Sequence, residues 1–312
     1  MYSYATYYEI LRYMQMNEPL VADATTTTLD DNANFAGYSK ARDRYKVTTI
    51  ARDVTQRVET LTQSTFIPLI ATRYFDAAYN DQIDRVRNTL RLDYPLASLT
   101  SVTLADDTSL VVNTDVRSEQ RGITPIFRLQ ILGDAGYWTD YASEWRQEIE
   151  VTGVWCWRQH YSTQGWILTG DTVQDNPLTA ASTTLTVSDA DGSDSYGMAP
   201  RFDVGQLLQI ESEWVTVTAV SYTNNTCTIL RGQRGTTAAS HIKTTPVYRF
   251  IVEPEISSAV SEIVAFEIKR IGNYEQVQIG GGGFVATQYP ADWPDRAMNK
   301  IRMHSNPLFR SV

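Results

Sequence analysis

Histidines, cysteines and paired carboxylates are the side chains that most often carry chemistry in proteins, and this chain has only 3 histidines and 2 cysteines. His160, His241 and His304 lie in three separate segments, and none has a neighbouring His, Cys or carboxylate at the spacing of a zinc site. We expect a structural or surface role for each. No pair of carboxylates has a pattern that indicates acid–base catalysis. The sequence therefore predicts no catalytic residue, no cofactor and a protein that is not an enzyme.

The remaining candidates for ligand chemistry are two thiols and one acidic segment. Cys156 and Cys227 form no CxxC pair, which favours two reduced, buried thiols. The segment 189–194 contains three aspartates whose oxygens could bind a calcium ion. It lacks the glutamate that closes an EF-hand loop, so a solvated turn is the favoured interpretation. We predict no metal site.

A run of four glycines is the third feature that could be mistaken for a binding motif: Gly280, Gly281, Gly282 and Gly283. Phe284 follows the run where a P-loop would have Lys and Ser or Thr, and no βαβ unit precedes it. Because glycine adopts many backbone conformations, the run is predicted to be a hinge.

The charge balance argues against a protein that grips nucleic acid. Asp and Glu number 36 against 27 Lys and Arg, which gives a net charge of −9 over 312 residues. Avid binding to the phosphate backbone needs concentrated positive charge, whereas this balance is compatible with a protein that surrounds DNA without holding it and equally with one that never meets DNA. Neither a signal peptide nor a transmembrane stretch is visible, so we expect synthesis in the cytoplasm and no membrane partner.

Two helices are predicted near the start of the chain, a short one at 6–16 and a long one at 40–63. The long helix has a single apolar stripe made of Val47, Ile50, Val54, Val58 and Leu61. Its other faces carry basic residues, namely Lys40, Arg42, Arg44, Lys46, Arg52 and Arg57. This basic face could contact DNA or an acidic partner, or it could be a solvated face with local ion pairs.

The rest of the chain alternates between β and helical patterns. Residues 66–158 contain short alternating runs separated by turn residues, which is typical of an antiparallel sheet. A second β block extends over about 169–250 and includes a tight turn at 231–236. Helices are predicted again at 254–271 and 291–304.

This order predicts an α+β fold in which a small helical bundle with an antiparallel sheet is interrupted by an inserted all-β domain, a barrel or a sandwich. Residues 1–165 and 251–312 would form one discontinuous domain, and 166–250 would form the insert. The helix at 254–271 has no domain of its own, which is why the first domain is predicted to resume there. Such insertions are tolerated where the two ends of a loop lie close together.

The middle of the chain resembles the head–tail connector (adaptor) proteins of tailed bacteriophages. The resemblance is carried by residues 73–76, by 90–103 with its Pro-Leu and Ser-Val-Thr elements, and by the Thr-Gly-x-Trp motif within 151–155. The helix after Pro254 is similar to the closing helix of that family. The chain departs from the pattern at Cys156, where a glycine is common, and in the long segment before that helix.

The segment itself resembles a small β module of other phage structural proteins, through residues 205–211 and 231–236. The resemblance as a whole implies a virion protein at the head–tail interface. It would form a ring, usually dodecameric in that family, below the portal protein and above a tail, stopper or nozzle protein. Double-stranded DNA would pass through the ring without sequence-specific binding.

Family members commonly engage the portal through C-terminal segments, which implies docking by Pro307, Leu308, Phe309 and Arg310. Two other functions are compatible with the sequence. The first is a different tail or baseplate protein whose β module binds a carbohydrate or a neighbouring protein. The second is a virion-associated hydrolase, which would require catalytic roles for residues such as His160, His241 and Asp191.

Overall fold

The computed structural model describes residues 2–14, 40–76, 83–84, 86–104, 106–133, 138, 148–273 and 293–305. Within these residues, no helix combines the length and the apolar content that crossing a membrane requires. The same residues contain five helices, α1 (Tyr7–Tyr13), α2 (Lys40–Thr62), α3 (Tyr161–Gln164), α4 (Pro254–Asn273) and α5 (Asp295–Met303).

Four of the described helices form one group, because their apolar faces meet around α4. α1 starts with a capping box, in which the Thr6 hydroxyl accepts from the Glu9 amide and the Glu9 carboxylate accepts from the Thr6 amide. α1, α2 and α5 all contact α4. The apolar stripe predicted for the long helix supplies Val47, Val54 and Val58 to the core. The two long helices are therefore neighbours, although some 190 residues separate them in the chain.

The first sheet is antiparallel and is formed by β1 (Leu69–Phe75), β2 (Ile83–Asp84), β3 (Thr89–Thr103), β4 (Ser109–Leu110), β5 (Val116–Ser118), β6 (Ile126–Ile131) and β7 (Ile149–Trp155). Its main strand order is β1-β7-β3-β6-β5, and β2 and β4 also pair with β3. The sequence predicts two strands in the region of β3, but the structure has one. β3 continues through Pro95, and the register shifts on both sides of this residue. Such irregularities accommodate a proline that cannot donate to the ladder.

The second sheet is also antiparallel and is formed by β8 (Trp166–Thr172), β9 (Thr184–Thr186), β10 (Leu207–Ile210), β11 (Glu213–Ser221), β12 (Thr226–Leu230) and β13 (Pro246–Phe250). Its order is β8-β13-β10-β11-β12-β9. It is not a closed barrel, so that part of the prediction is wrong. The edge strands β8 and β9 do not pair as strands, and beyond the end of β8 a bond of 2.9 Å from the Gln174 amide to the Thr186 carbonyl links the two edges.

The buried apolar residues form two clusters. The larger cluster joins the helices to the second sheet through residues such as Val58, Trp214 and Ile263. The smaller cluster lies on one face of the first sheet and includes Leu92 and Trp155. The α+β class with antiparallel sheets is confirmed. The division into residues 1–165 with 251–312 and an inserted 166–250 stays a prediction, because the helices share their core with the second sheet.

Gly153 occupies the point where β3 crosses closest to β7. A Cβ atom at this position would collide with the Ser98 carbonyl oxygen and lie 2.8 Å from Leu96 Cδ1. The register of β3 against β7 shifts between Leu96 and Ser98, which brings that carbonyl over the glycine. The Thr-Gly-x-Trp motif therefore has a steric reason for its glycine.

We predict that Gly153→Ala lowers the free energy of unfolding by about 2 kcal/mol, because backbone and core must both shift. Gly122→Ala is the control, since Gly122 has a φ of +72° but no atom within 4 Å of its Cβ position. That change should cost about 1 kcal/mol through backbone strain. Urea denaturation measures both values, and a smaller loss at Gly153 than at Gly122 would contradict the steric explanation.

Candidate functional site

The turn that follows β12 is hydrogen-bonded to the segment that leads into the first sheet. It therefore links the two sheets. Arg234 extends from this turn into the linker between α2 and β1. Its Nε donates to the Pro68 carbonyl at 3.0 Å, and its Nη2 donates to the Ile67 carbonyl at 2.9 Å. The guanidinium also lies 4.8 Å from the ring centroid of Tyr2. Charge-assisted bonds of this kind are stronger than neutral ones, so Arg234 fixes the linker to the turn.

The backbone of the turn makes the same junction. The Ile70 amide donates to the Arg234 carbonyl at 3.0 Å, next to the start of β1. Gly235 follows with a φ of +90°, and a Cβ atom there would collide with the Ile70 carbonyl oxygen. Only glycine fits both the conformation and the contact. We call the set of Arg234, Gly235 and the linker residues 65–70 the junction.

A fully buried carboxylate, Glu213, holds the turn in place from the side of β11. Arg231 forms a two-pronged bond with it, from Nε to Oε1 and from Nη2 to Oε2, each at 2.7 Å. The amides of Gly232 and Ala239 donate to the same carboxylate at 2.9 and 3.0 Å. Both ends of the loop that carries Arg234 are therefore bonded to one side chain. We call this arrangement the Glu213 clamp.

The clamp keeps Glu213 ionised. Burial alone would raise the pKa of this carboxyl group, but the bonds from Arg231, Ala239, His241 and Gly232 lower the pKa to about 2, from an ordinary value of 4.5. The exposed fraction of its side chain is 0%, as is that of His241. A buried charge with this many donors is stable only while each donor stays in place.

His241 completes the clamp, because each of its ring nitrogens faces a carboxylate. Nε2 lies 2.8 Å from Glu213 Oε2, and Nδ1 lies 2.7 Å from Glu211 Oε2. Both contacts are hydrogen bonds only if both nitrogens carry hydrogen, which is the imidazolium form. Glu213 is buried and already accepts hydrogen bonds from several groups. We therefore interpret the pair of His241 and Glu213 as structural and not as a catalytic dyad.

The other two histidines lie apart from this cluster. His160 is exposed and precedes α3 in a left-handed conformation with a φ of 51°. His304 is buried at the end of α5 against the rings of Phe66 and Trp157. The structure therefore brings none of the three histidines together with another. Both cysteines are buried, which raises the pKa of each thiol.

Two of the three aspartates predicted to form a turn, Asp189 and Asp194, are paired with arginines. Asp194 accepts from Arg249 Nη2 at 2.6 Å, and Asp189 lies 3.7 Å from Arg201. Arg201 also donates to Asp171 at 2.9 Å. Within the part of the chain that the structure describes, no group of three or more His, Cys, Asp or Glu residues could hold a metal ion.

The structure describes only part of the surfaces that the sequence predicts to be functional. On α2, Lys46 and Arg57 are exposed, Arg52 is half-buried, and the Arg57 guanidinium lies 5.8 Å from the ring centroid of Trp293. The side chains of Arg42 and Arg44 lie outside the described residues. So do the predicted hinge, Gly280 to Gly283, and the predicted portal-docking residues Pro307, Leu308, Phe309 and Arg310. The roles assigned to all of these residues stay predictions.

Sequence reasoning missed the ion pairs that hold the segments together. It predicts residues 231–236 as a tight turn, and it assigns no partner to Arg231 or to Glu213. A signal was present, since an isolated arginine or glutamate beside buried apolar positions needs a partner. Arg158 and Glu253, 3.2 Å apart and both buried, are another such pair.

Comparison with known proteins gives no relative: no family model and no curated protein matches this chain.

We predict that Glu213→Gln lowers the free energy of unfolding by about 3 kcal/mol at neutral pH, because Arg231 loses its buried counter-charge. Glu211→Gln is the control, since the Glu211 side chain is 58% exposed and should contribute less than about 1 kcal/mol. Chemical denaturation monitored by tryptophan fluorescence measures both. Equal losses would show that Glu213 is not the organising charge.

The same variant tests the pH dependence. Because the pKa of Glu213 is lower in the folded protein, its contribution is complete above pH 4.5 and is lost as the pH falls towards 2. The variant should lack this part of the acid-induced loss of stability.

Proposed function

We propose that the chain is a structural subunit of a tailed-phage virion, a head–tail connector that forms a ring below the portal and joins capsid to tail. The function would be carried by surfaces rather than by catalysis. The main support for the proposal is the position in the fold of the residues that resemble the family.

Those residues lie side by side in the fold. Residues 90–103 make up most of β3, and 151–155 make up most of β7. The two strands are paired, with Leu96 opposite Trp155 and Leu99 opposite Gly153. The long helix and the helix after Pro254 also pack together. Segments that the family has in order along the sequence thus form one pair of strands and one pair of helices here, and a shared fold would require both pairings.

The inserted β domain is part of the proposal. The chain leaves the first sheet near Arg158 and enters α4 after Glu253, and these two side chains are paired. The Gln159 amide donates to the Glu253 carboxylate at 3.0 Å, and Arg158 Nε donates to the Ile251 carbonyl at 2.9 Å. The two ends of the β block are therefore close together, which is the geometry that an insertion needs.

The charge balance and the termini support the proposed partners. With a net charge of −9, the ring would let DNA slide through its channel instead of holding it. The basic face of α2, with Lys46, Arg52 and Arg57, would contact DNA or a neighbouring subunit. The C-terminal residues 307–310 would engage the portal, and the β block would contact the next tail component.

A tail or baseplate protein whose β block binds a carbohydrate or another protein is the alternative. The location of the chain in the phage particle distinguishes this alternative from the connector. We expect gold-labelled antibody against the chain to bind at the neck of the phage particle, between capsid and tail, in negative-stain electron micrographs. An antibody against the major tail protein serves as the control for access. Label confined to the distal end of the tail would contradict the connector and favour the alternative.

A further inference from the structure

One side of the first sheet carries arginines at positions where a sheet normally avoids them. Leu90 and Leu92 of β3 face the smaller core, so Arg91 between them points to the opposite side. Arg128 of β6 lies directly opposite Arg91 in the antiparallel ladder. Like charges in such a pair destabilise a sheet, so this arrangement needs an anionic partner to be favourable.

Two further arginines extend this surface, and most of its charge is unpaired. Arg117 lies on β5 and Arg121 in the loop after it, and we call these two residues with Arg91 and Arg128 the arginine face. Arg128 lies 3.4 Å from Glu119, but the other three have no ion-pair partner within the described residues. Arg117 Nε is buried and has no hydrogen-bond partner there. Buried donors of this kind are rare without a ligand.

The arginine face borders a cleft that suits a protein side chain. The cleft has a volume of 780 Å³ and is lined by Arg117, Arg121 and His160 together with Ile123. Ile123 is 56% exposed. No carboxylate is found among the described residues that line it. Arginine beside exposed apolar area is typical of protein interfaces, whereas DNA would leave Ile123 in water and would be repelled by the net charge of −9.

A complementary surface exists on the second sheet. The turn of residues 189–198, here called the acidic turn, has Asp189 half exposed and Asp191 exposed. Tyr196 and Met198 beside them are 64% and 40% exposed. The turn is rigid, because Arg201 donates to the Asp189 and Ser193 carbonyls at 2.9 Å. It therefore offers carboxylates and apolar groups in a fixed arrangement, at low entropic cost of binding.

We propose that the acidic turn of one copy of the chain docks on the arginine face of a second copy. The two surfaces lie on different sheets, so the contact is heterologous, and repetition of such a contact about an axis closes a ring. The inference rests on the proposed function and specifies how neighbouring subunits of the ring meet. Tyr196 would cover Ile123, and Asp189 and Asp191 would pair with Arg117 and Arg121.

Charge reversal in the full-length chain tests this contact by sedimentation velocity at about 50 mM salt, where exposed charges are weakly screened. Arg117→Glu with Arg121→Glu should raise the dissociation constant of self-association at least about tenfold, and Asp189→Lys with Asp191→Lys should do the same. A mixture of the two double variants should associate within about threefold of the wild type, because the reversed charges complement each other. Lys243→Glu, in the exposed turn before β13, is the matched control and should have no effect.

Each other outcome contradicts the proposal in its own way. If both double variants associate as strongly as the wild type, copies of the chain bind each other through other surfaces. This result would contradict the proposed contact but not the ring. Wild-type chain that stays monomeric at about 100 µM would overturn the contact, while position at the neck is decided separately by the antibody label. A 20-base-pair duplex that binds the wild type but not Arg117→Glu with Arg121→Glu would assign the arginine face to nucleic acid. Circular dichroism confirms that each variant is folded.

Discussion

The buried charge of Glu213 determines where the loop between Arg231 and His241 lies, and through that loop it determines how the second sheet meets the rest of the molecule. The carboxylate is tied to both ends of the loop, and Arg234 at its tip donates to the linker before the first sheet. A buried ion pair adds little net stability compared with apolar packing, but losing one partner is costly. Such a device specifies position more than it stabilises, and position is what a subunit of the proposed ring would need.

The distribution of charge fits the same view. Buried ion pairs such as Glu213 with Arg231 and Asp194 with Arg249 are confined to places where chain segments meet. Arginines that are at least partly exposed lie together on one face of the first sheet, and exposed aspartates lie on the turn after β9. In an acidic protein, this separation favours association between copies over a tight hold on DNA. The connector proposed above would use both properties, because neighbouring subunits must bind each other and DNA must pass through the ring without being held.

Periodicity in the sequence was enough to predict the long helices and most strands of the first sheet, because most of these elements bury an apolar face. It failed where the signal is not periodic. β8 and β13 pair with each other although some 75 residues separate them in the sequence. The ends of these strands are fixed by contacts between distant residues, which local sequence patterns do not contain. The Glu213 clamp could not be predicted for the same reason, since Arg231 and His241 become its partners only after the strands have paired. Of the two alternatives for the second β block, the barrel was wrong, because β8 and β9 are the edges of the sheet and do not pair as strands.

Hydrogen–deuterium exchange at the Ile70 amide tests most directly whether Glu213 controls the junction. This amide donates to the Arg234 carbonyl, so its protection reports the position of the loop. In Glu213→Gln, we expect exchange at Ile70 and in the loop 231–241 to become at least about tenfold faster, while amides in the middle of β7 keep their protection. Unchanged exchange at Ile70 in a folded variant would show that the junction holds without the clamp, and would contradict the account.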